Sequence, residues 1–383
     1  MFRYCKYCVM PDTRPHLKFD DDGVCAACRS YEARKDIDWF TREKELRAIL
    51  DRYRSKDNYY DCIVPVSGGK DSHCQVIKML ELGMTPLAVT GVTDDFSDLG
   101  RRNLDNIKKL GVDSLEVAVN PNVRRRINKI GLTNVGDISW PEHVAIFTFP
   151  IWMAIRMNIP LVIWGENGQN EFGGPASQAD KNVQDANWIH EYGGLLGMRP
   201  SDMVGQEGIM AKDLIMYQYP PQEDLDRVGV TGLFLGYYYP WSVFDNFEVA
   251  EKHGFKAYPE RIENQLVNFE NLDNHQTGIH DYFAFLKYGF GRATSQACLM
   301  IRRGMITREE AIEQLKKIDG RFPWTYLGKD LKDILDPIGM TVDEFIRVCD
   351  QFTNKKIFNT NNRGELIKDS DGNLVLLAYD NED

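Results

Sequence analysis

The chain has 383 residues, 43% of them hydrophobic and 27% charged, and its 46 basic and 57 acidic side chains leave a net charge of −11. That length predicts two or three folded units, the composition excludes a disordered chain, and no apolar run approaches the ~20 residues of a membrane span. Phosphate-backbone binding depends on Lys and Arg, so a broad nucleic-acid surface is disfavoured, whereas a local basic pocket for a small phosphorylated ligand is not.

The opening Met1-Phe2-Arg3-Tyr4-Cys5 lacks the basic stretch and apolar core of a signal peptide, and a cytoplasmic protein is expected. Four of the eight cysteines follow at once, as Cys5-Lys6-Tyr7-Cys8 and Cys25-Ala26-Ala27-Cys28, while Cys62, Cys74, Cys298 and Cys349 stand alone. Paired CxxC turns suit tetrahedral thiolate ligation, and four protein ligands leave no open position. Residues 1–38 therefore read as a knuckle around a structural Zn2+, with an iron–sulfur cluster or disulfides as alternatives. Leu46, Ile49, Leu50 and Tyr53 recur at helical spacing and predict a helix over 39–53.

Next comes a short β-branched run over 61–66, a Gly-rich turn, and a helical pattern up to Gly83. Further strands at 86–91, 114–119 and 160–164 alternate with helices near 99–110 and 144–157. This predicts an α/β domain over 39–175, a doubly wound parallel sheet with ligands at the carboxyl ends of its strands. From about residue 174 the alternation stops. Residues 176–383 are expected to form a mostly helical C-terminal region that binds substrate and partners, with capping boxes at Thr307/Glu310 and Thr341/Glu344 and a small hairpin near Asp371-Gly372.

The turn Ser67-Gly68-Gly69-Lys70-Asp71-Ser72 joins a strand to a helix, where backbone N–H groups and the positive helix end converge on an anion. It is not a Walker A loop: Val64 and Asp71 stand where that pattern needs Gly and Ser/Thr. Gly68 and Gly69 let the backbone close around a pyrophosphate, Lys70 adds a point charge, and Asp71 can hold Mg2+; the plain alternative is an ordinary helix-opening turn. In this setting the loop resembles the PP-loop ATP pyrophosphatases, which have the adenine nucleotide alpha hydrolase-like fold and cleave ATP between the α and β phosphates to adenylate a substrate oxygen. That resemblance implies that residues 67–72 hold the leaving pyrophosphate and that Thr90-Gly91 lie beside adenosine, with Lys70 and Asp71 catalytic.

The fourth strand ends in Gly165-Glu166-Asn167-Gly168-Gln169-Asn170-Glu171-Phe172-Gly173-Gly174. Gly165 falls on the nucleotide side, and Glu166 and Glu171 fall at the ligand edge, where carboxylates bind magnesium, orient hydroxyls or take protons from an attacking amine; a solvated acidic turn is the alternative. Asn167, Tyr239 and Trp241 are candidates for the sugar and Arg292 for a phosphate or carboxylate, although packing at a domain interface explains the aromatics equally well.

The order of these motifs, ending in Gly289-Phe290-Gly291-Arg292-Ala293-Thr294 and Arg302-Arg303-Gly304-Met305, resembles the N-acetyl sugar amidotransferase family of surface-polysaccharide (O-antigen, lipopolysaccharide) and flagellin-glycan pathways, over residues 4–320. The family has an acidic residue where Ser295 stands. The resemblance implies an ATP- and Mg2+-dependent ligase that turns the acetamido group of a nucleotide-linked amino sugar into an acetamidino group, working beside a separate glutaminase and a cyclase-like subunit that supply ammonia. Nothing in the chain resembles a glutaminase of its own. A homodimer is left open, and a PP-loop tRNA thiolation enzyme with an N-terminal zinc knuckle is the competing reading.

Overall fold

The computed structural model describes residues 3–168, 182–184 (backbone alone at 183 and 184) and 195–377. The cysteine knuckle is tied by short bridges pairing Tyr4 with Pro11 and Phe19 with Cys25, and leads into α1 (Ala26–Ala33) and α2 (Trp39–Tyr53). Helix α2 covers the expected residues: Asp38 caps it by accepting from the Thr41 N–H at 3.1 Å, and its apolar stripe buries Leu46 and Leu50 completely.

Strands β1 (Cys62–Pro65), β2 (Pro86–Gly91), β3 (Asp113–Val117), β4 (Leu161–Trp164), β5 (Val183–Gln184) and β6 (Thr231–Phe234) form one sheet in the order β3-β2-β1-β4-β6-β5. Five strands are parallel, and β5 runs antiparallel to β6. The connecting helices are α3 (Lys70–Glu81), α4 (Asp98–Lys109), α5 (Pro121–Val135) and α6 (Trp140–Arg156). Strand residues alternate between two cores. Cys62, Val64, Ala88, Leu161 and Ile163 pack with Leu46, Val76 and Leu104 of α2, α3 and α4, whereas Ile63, Leu87, Val89 and Val162 pack with Ile151, Ala154 and Ile155 of α6. Both faces are covered, which is why these strands read as unbroken apolar runs. Strand order reverses between β1 and β4, and that opens a crevice at their carboxyl ends.

Strand β6 was not expected: it lies past residue 175, where the sequence predicts the sheet to end. Its four residues Thr-Gly-Leu-Phe are too short a run to stand out, and pairing with β4 from Leu161↔Thr231 to Trp164↔Phe234 makes the strand. Beyond α7 (Gln222–Val228) and α8 (Leu235–Tyr238) come α9 (Val243–Lys252), α10 (Thr277–Tyr288), α11 (Arg292–Arg302), α12 (Arg308–Ile318), α13 (Leu331–Leu335) and α14 (Val342–Phe352), with a two-strand pair β7 (Thr325–Tyr326) and β8 (Lys329–Asp330). Helices α9, α10, α13 and α14 share a core rich in Phe283, Phe285, Phe345 and Phe358. Both expected capping boxes form: Thr307 with Glu310 and Thr341 with Glu344. The knuckle docks on this region through Phe290, Ala297, Ile301 and Leu315, with Thr13 Oγ1 donating to Tyr288 O at 2.5 Å and Arg308 Nε to Cys8 O at 3.1 Å. Among the described residues no helix is long and apolar enough to cross a membrane.

Candidate active site

The turn after β1 is held in one conformation by its glycines and serines. Gly68 has φ +90°, a conformation that costs a side chain dearly, and a Cβ there would stand 2.7 Å from the Leu104 N. Ser67 N–H donates to Ser72 Oγ at 3.0 Å and Gly69 N–H to Ser67 Oγ at 3.3 Å, so the turn is tied to the first turn of α3. Lys70 is buried, and its Nζ donates to Asp71 Oδ2 at 2.8 Å and to Glu270 Oε1 at 3.1 Å. Burial opposes that charge, yet Asp71 and Glu270 override it and hold the pKa above the ordinary lysine range. Asp71 Oδ1 accepts from Asn246 Nδ2 at 2.7 Å, which orients the carboxylate.

Two cavities meet at this turn, of about 500 Å3 and about 220 Å3, and Ser67, Asp71, Glu166 and Asp273 line both. Thr90 and Gly91, at the end of β2, line the larger with Gly165, Gly168 and the buried pair Arg124–Glu142 (2.7 Å). Residues 67–71 line the smaller with Glu270 and Arg292, the latter gripped by Asp281 at 3.0 and 3.3 Å. One cleft, with a nucleoside-sized lobe and a smaller anion-sized lobe, therefore straddles the turn. Where the lobes join, Asp71, Glu166 and Asp273 each present a carboxylate, and the three are not gathered closely enough to share one ion. Burial pushes the Asp273 carboxyl above its usual range.

The structure thus brings together Ser67, Gly68, Gly69, Lys70, Asp71, Ser72, Thr90, Gly91, Gly165, Glu166 and Arg292. Asn167 is buried and lines neither lobe. Trp241 is buried behind Gly165, where a Cβ on that glycine would stand 3.1 Å from its Cζ2, and it lines neither lobe. Tyr239 also lies outside the cleft. Its ring sits 4.7 Å from Lys78 Nζ on the far side of α3, because the turn α8 directs Tyr238 into the core and the next residue outward. Glu171 lies outside the described residues.

Several lining residues carry no local signal in the sequence. Glu270 and Asp273 belong to a loop without periodicity, one and four residues after the buried Phe269. Arg14 reaches the larger lobe from the cysteine knuckle and rests 5.6 Å from the Phe290 ring, where burial pulls its pKa down to about 10.

The knuckle itself is preformed for a metal. All four cysteines are buried and unpaired by disulfides, with Cys8 Sγ 3.8 Å from Cys25 Sγ and Cys25 Sγ 3.5 Å from Cys28 Sγ. The edge of a thiolate tetrahedron around Zn2+ is about 3.8 Å for 2.3 Å bonds. Cys8 and Cys25 N–H groups donate to Cys5 Sγ at 3.4 and 3.2 Å, the polarisation a bound thiolate needs.

Residues 242–370 match the family model for the C-terminal domain of LPS biosynthesis proteins of the WbpG-like kind. Glu270, Asp273 and Arg292 fall inside that stretch. A comparison with curated proteins gives no match. Among solved structures, that of NMN synthetase from Francisella tularensis aligns over 59% of this chain and 99% of that chain at 11% identity, with a TM-score of 0.28, a likeness too slight to carry an argument.

Proposed function

We propose that this chain is an ATP-dependent, AMP-forming amidotransferase of LPS biosynthesis, which converts the acetamido group of a nucleotide-linked amino sugar to an acetamidino group. One observation carries the reading: Glu270, Asp273 and Arg292 of the WbpG-like segment line the same cleft as the Ser-Gly-Gly-Lys-Asp-Ser turn. A nucleotide loop and a domain of the LPS-biosynthesis type then serve one reaction.

An acetamide carbonyl is a weak electrophile with a poor leaving group, so ammonia does not displace its oxygen unaided. Transfer of AMP to the amide oxygen breaks the α–β bridge of ATP and releases pyrophosphate. Ammonia then adds to the imidate carbon, the C–O bond breaks, and AMP leaves with the former amide oxygen while a proton goes to base. The Gly68 and Lys70 N–H groups and the Lys70 ammonium are the donors for the departing pyrophosphate charge, a form of stabilisation that costs no reorganisation at the moment of reaction. Mg2+ would be held by Asp71, beside the turn, and would neutralise charge on the phosphates. Glu166 and Glu171 are the candidates to take the ammonia proton. Ammonia comes from a separate glutaminase with a cyclase-like partner.

The competing reading, tRNA thiolation, calls for cysteine chemistry at the nucleotide. Among the described residues no cysteine lines either lobe. The test is the purified chain with ATP, ammonium chloride and a nucleotide-linked N-acetylamino sugar. Equimolar AMP, pyrophosphate and a product in which NH replaces oxygen are expected, with glutamine failing to replace ammonium; ADP as the stoichiometric product overturns the reading.

A further inference from the structure

Asp137 lies in the turn between α5 and α6, where its carboxylate is 2% exposed. Among the described residues no Lys or Arg forms an ion pair with it. Its oxygens meet instead two imidazoles: His143 Nδ1 stands 3.0 Å from Oδ2, and His280 Nδ1 2.8 Å from Oδ1, with the Ser139 N–H donating to Oδ1 at 3.0 Å. The two rings are 4.9 Å apart, inclined at 73°, and about a quarter to a third exposed, so their outer faces are open to approach.

We propose that Asp137, His143 and His280 form a second metal site, a set of two imidazoles and one carboxylate for a divalent ion of the manganese-to-zinc series. Three arguments carry it. The three donor atoms lie within 4.8 Å of one another. The Nδ1–Oδ separations are close to the roughly 3.0 Å between ligands at right angles around a six-coordinate ion with bonds near 2.1 Å, shorter than the roughly 3.4 Å edge of a tetrahedron with the same bonds. Two nitrogens with one carboxylate select such ions over Mg2+ or Ca2+, which prefer all-oxygen shells.

The neighbouring charges are engaged elsewhere, which leaves the carboxylate to this role. Glu142 pairs with Arg124, Asp281 with Arg292, and Lys287 Nζ donates to Val135 O and Gly136 O at 2.6 and 2.9 Å. The placement also gives the ion a task. His143 follows Glu142, whose arginine partner walls the larger lobe; His280 precedes Asp281, whose arginine partner walls the smaller. An ion here ties α6 to α10 and fixes both walls from behind, a function separate from the proposed chemistry in the cleft.

The experiment is metal binding by the full chain, stripped of metal, refilled with Co2+ and dialysed. Two Co2+ per chain are expected, one with the intense thiolate charge-transfer band of a cysteine site and one with weak nitrogen–oxygen bands alone. His280→Gln and Asp137→Asn should each keep the thiolate band, which also reports that the fold is intact, and weaken the second site by more than about 100-fold. One Co2+ per chain in the wild type, or two in both variants, overturns the proposal and leaves a hydrogen-bonded Asp–His–His cluster.

Discussion

Lys70 and Asp319 show how burial sets two charges against each other. With Asp71 and Glu270 already on its ammonium, Lys70 is held charged and aimed before any phosphate arrives, so its loss removes preorganised charge rather than a flexible contact. Lys70→Ala should lower kcat by roughly two orders of magnitude with a smaller change in ATP affinity, measured by pyrophosphate release. Asp319 is the opposite case. Its carboxylate accepts from Gly291 N–H at 2.9 Å and Thr294 Oγ1 at 2.5 Å, while its Oδ1 is buried without a partner, and burial pushes its pKa up to about 6. A carboxyl raised from 3.8 to about 6 holds its proton more tightly folded than unfolded. Its contribution is therefore full below about pH 4, fades as pH rises to 6, and leaves the protein about 3 kcal/mol less stable above that than at low pH on this account alone. Asp319→Asn keeps an acceptor for both donors and removes the charge; its urea midpoint should exceed that of the wild type at pH 8 and converge with it below about pH 4.

Among the elements, the turn before α3 is the least tolerant of change. Gly68→Ala places a methyl group both at φ +90° and against the Leu104 backbone, so a loss of at least about 1–3 kcal/mol is expected from the dihedral alone. Denaturant midpoints with and without ATP check this: ATP should stabilise the wild type and not the variant. This element was also the most legible in the sequence, because an apolar run, two glycines and a helical pattern sit side by side within twenty residues. α2 was legible from its stripe, and the two late helices from capping boxes whose partners are three residues apart. What local pattern does not encode was missed. β6 is a strand because β4 is beside it, and Tyr239 looks like its neighbours Tyr237 and Tyr238 until a short turn points it at Lys78. Glu270, Asp273 and Arg14 reach the cleft from segments some 200 residues or about 50 residues away from Ser67, and no spacing rule links such positions.

On the scale of the whole molecule, α11 joins the two ends of the design. Arg292 at its start lines the cleft, while Ala297, Cys298 and Ile301 further along pack against the knuckle cysteines. Removing the knuckle metal should therefore be felt in the cleft: treatment with a thiol-reactive mercurial and a chelator is expected to raise KM for the phosphorylated substrates by at least about fivefold, and Arg14→Ala should do the same with the metal retained. Unchanged KM values in the metal-depleted protein would confine the knuckle to holding itself together.

The same long reach sets a timetable. The carbonyl of Cys8 is met by Arg308, 300 positions later in the chain, and Thr13 by Tyr288, 275 later. At about 5–20 residues per second, a ribosome needs roughly 15–60 s to travel between such partners. Throughout that interval four thiols close to the leading end have emerged and their lid has not, so the nascent knuckle is open to zinc, and to oxidants, long before any cleft exists for it to support. A zinc ion bound by these thiols would be captured early in biosynthesis and the docking completed late, so that a shortage of zinc would be felt while this protein is being made rather than while it is working.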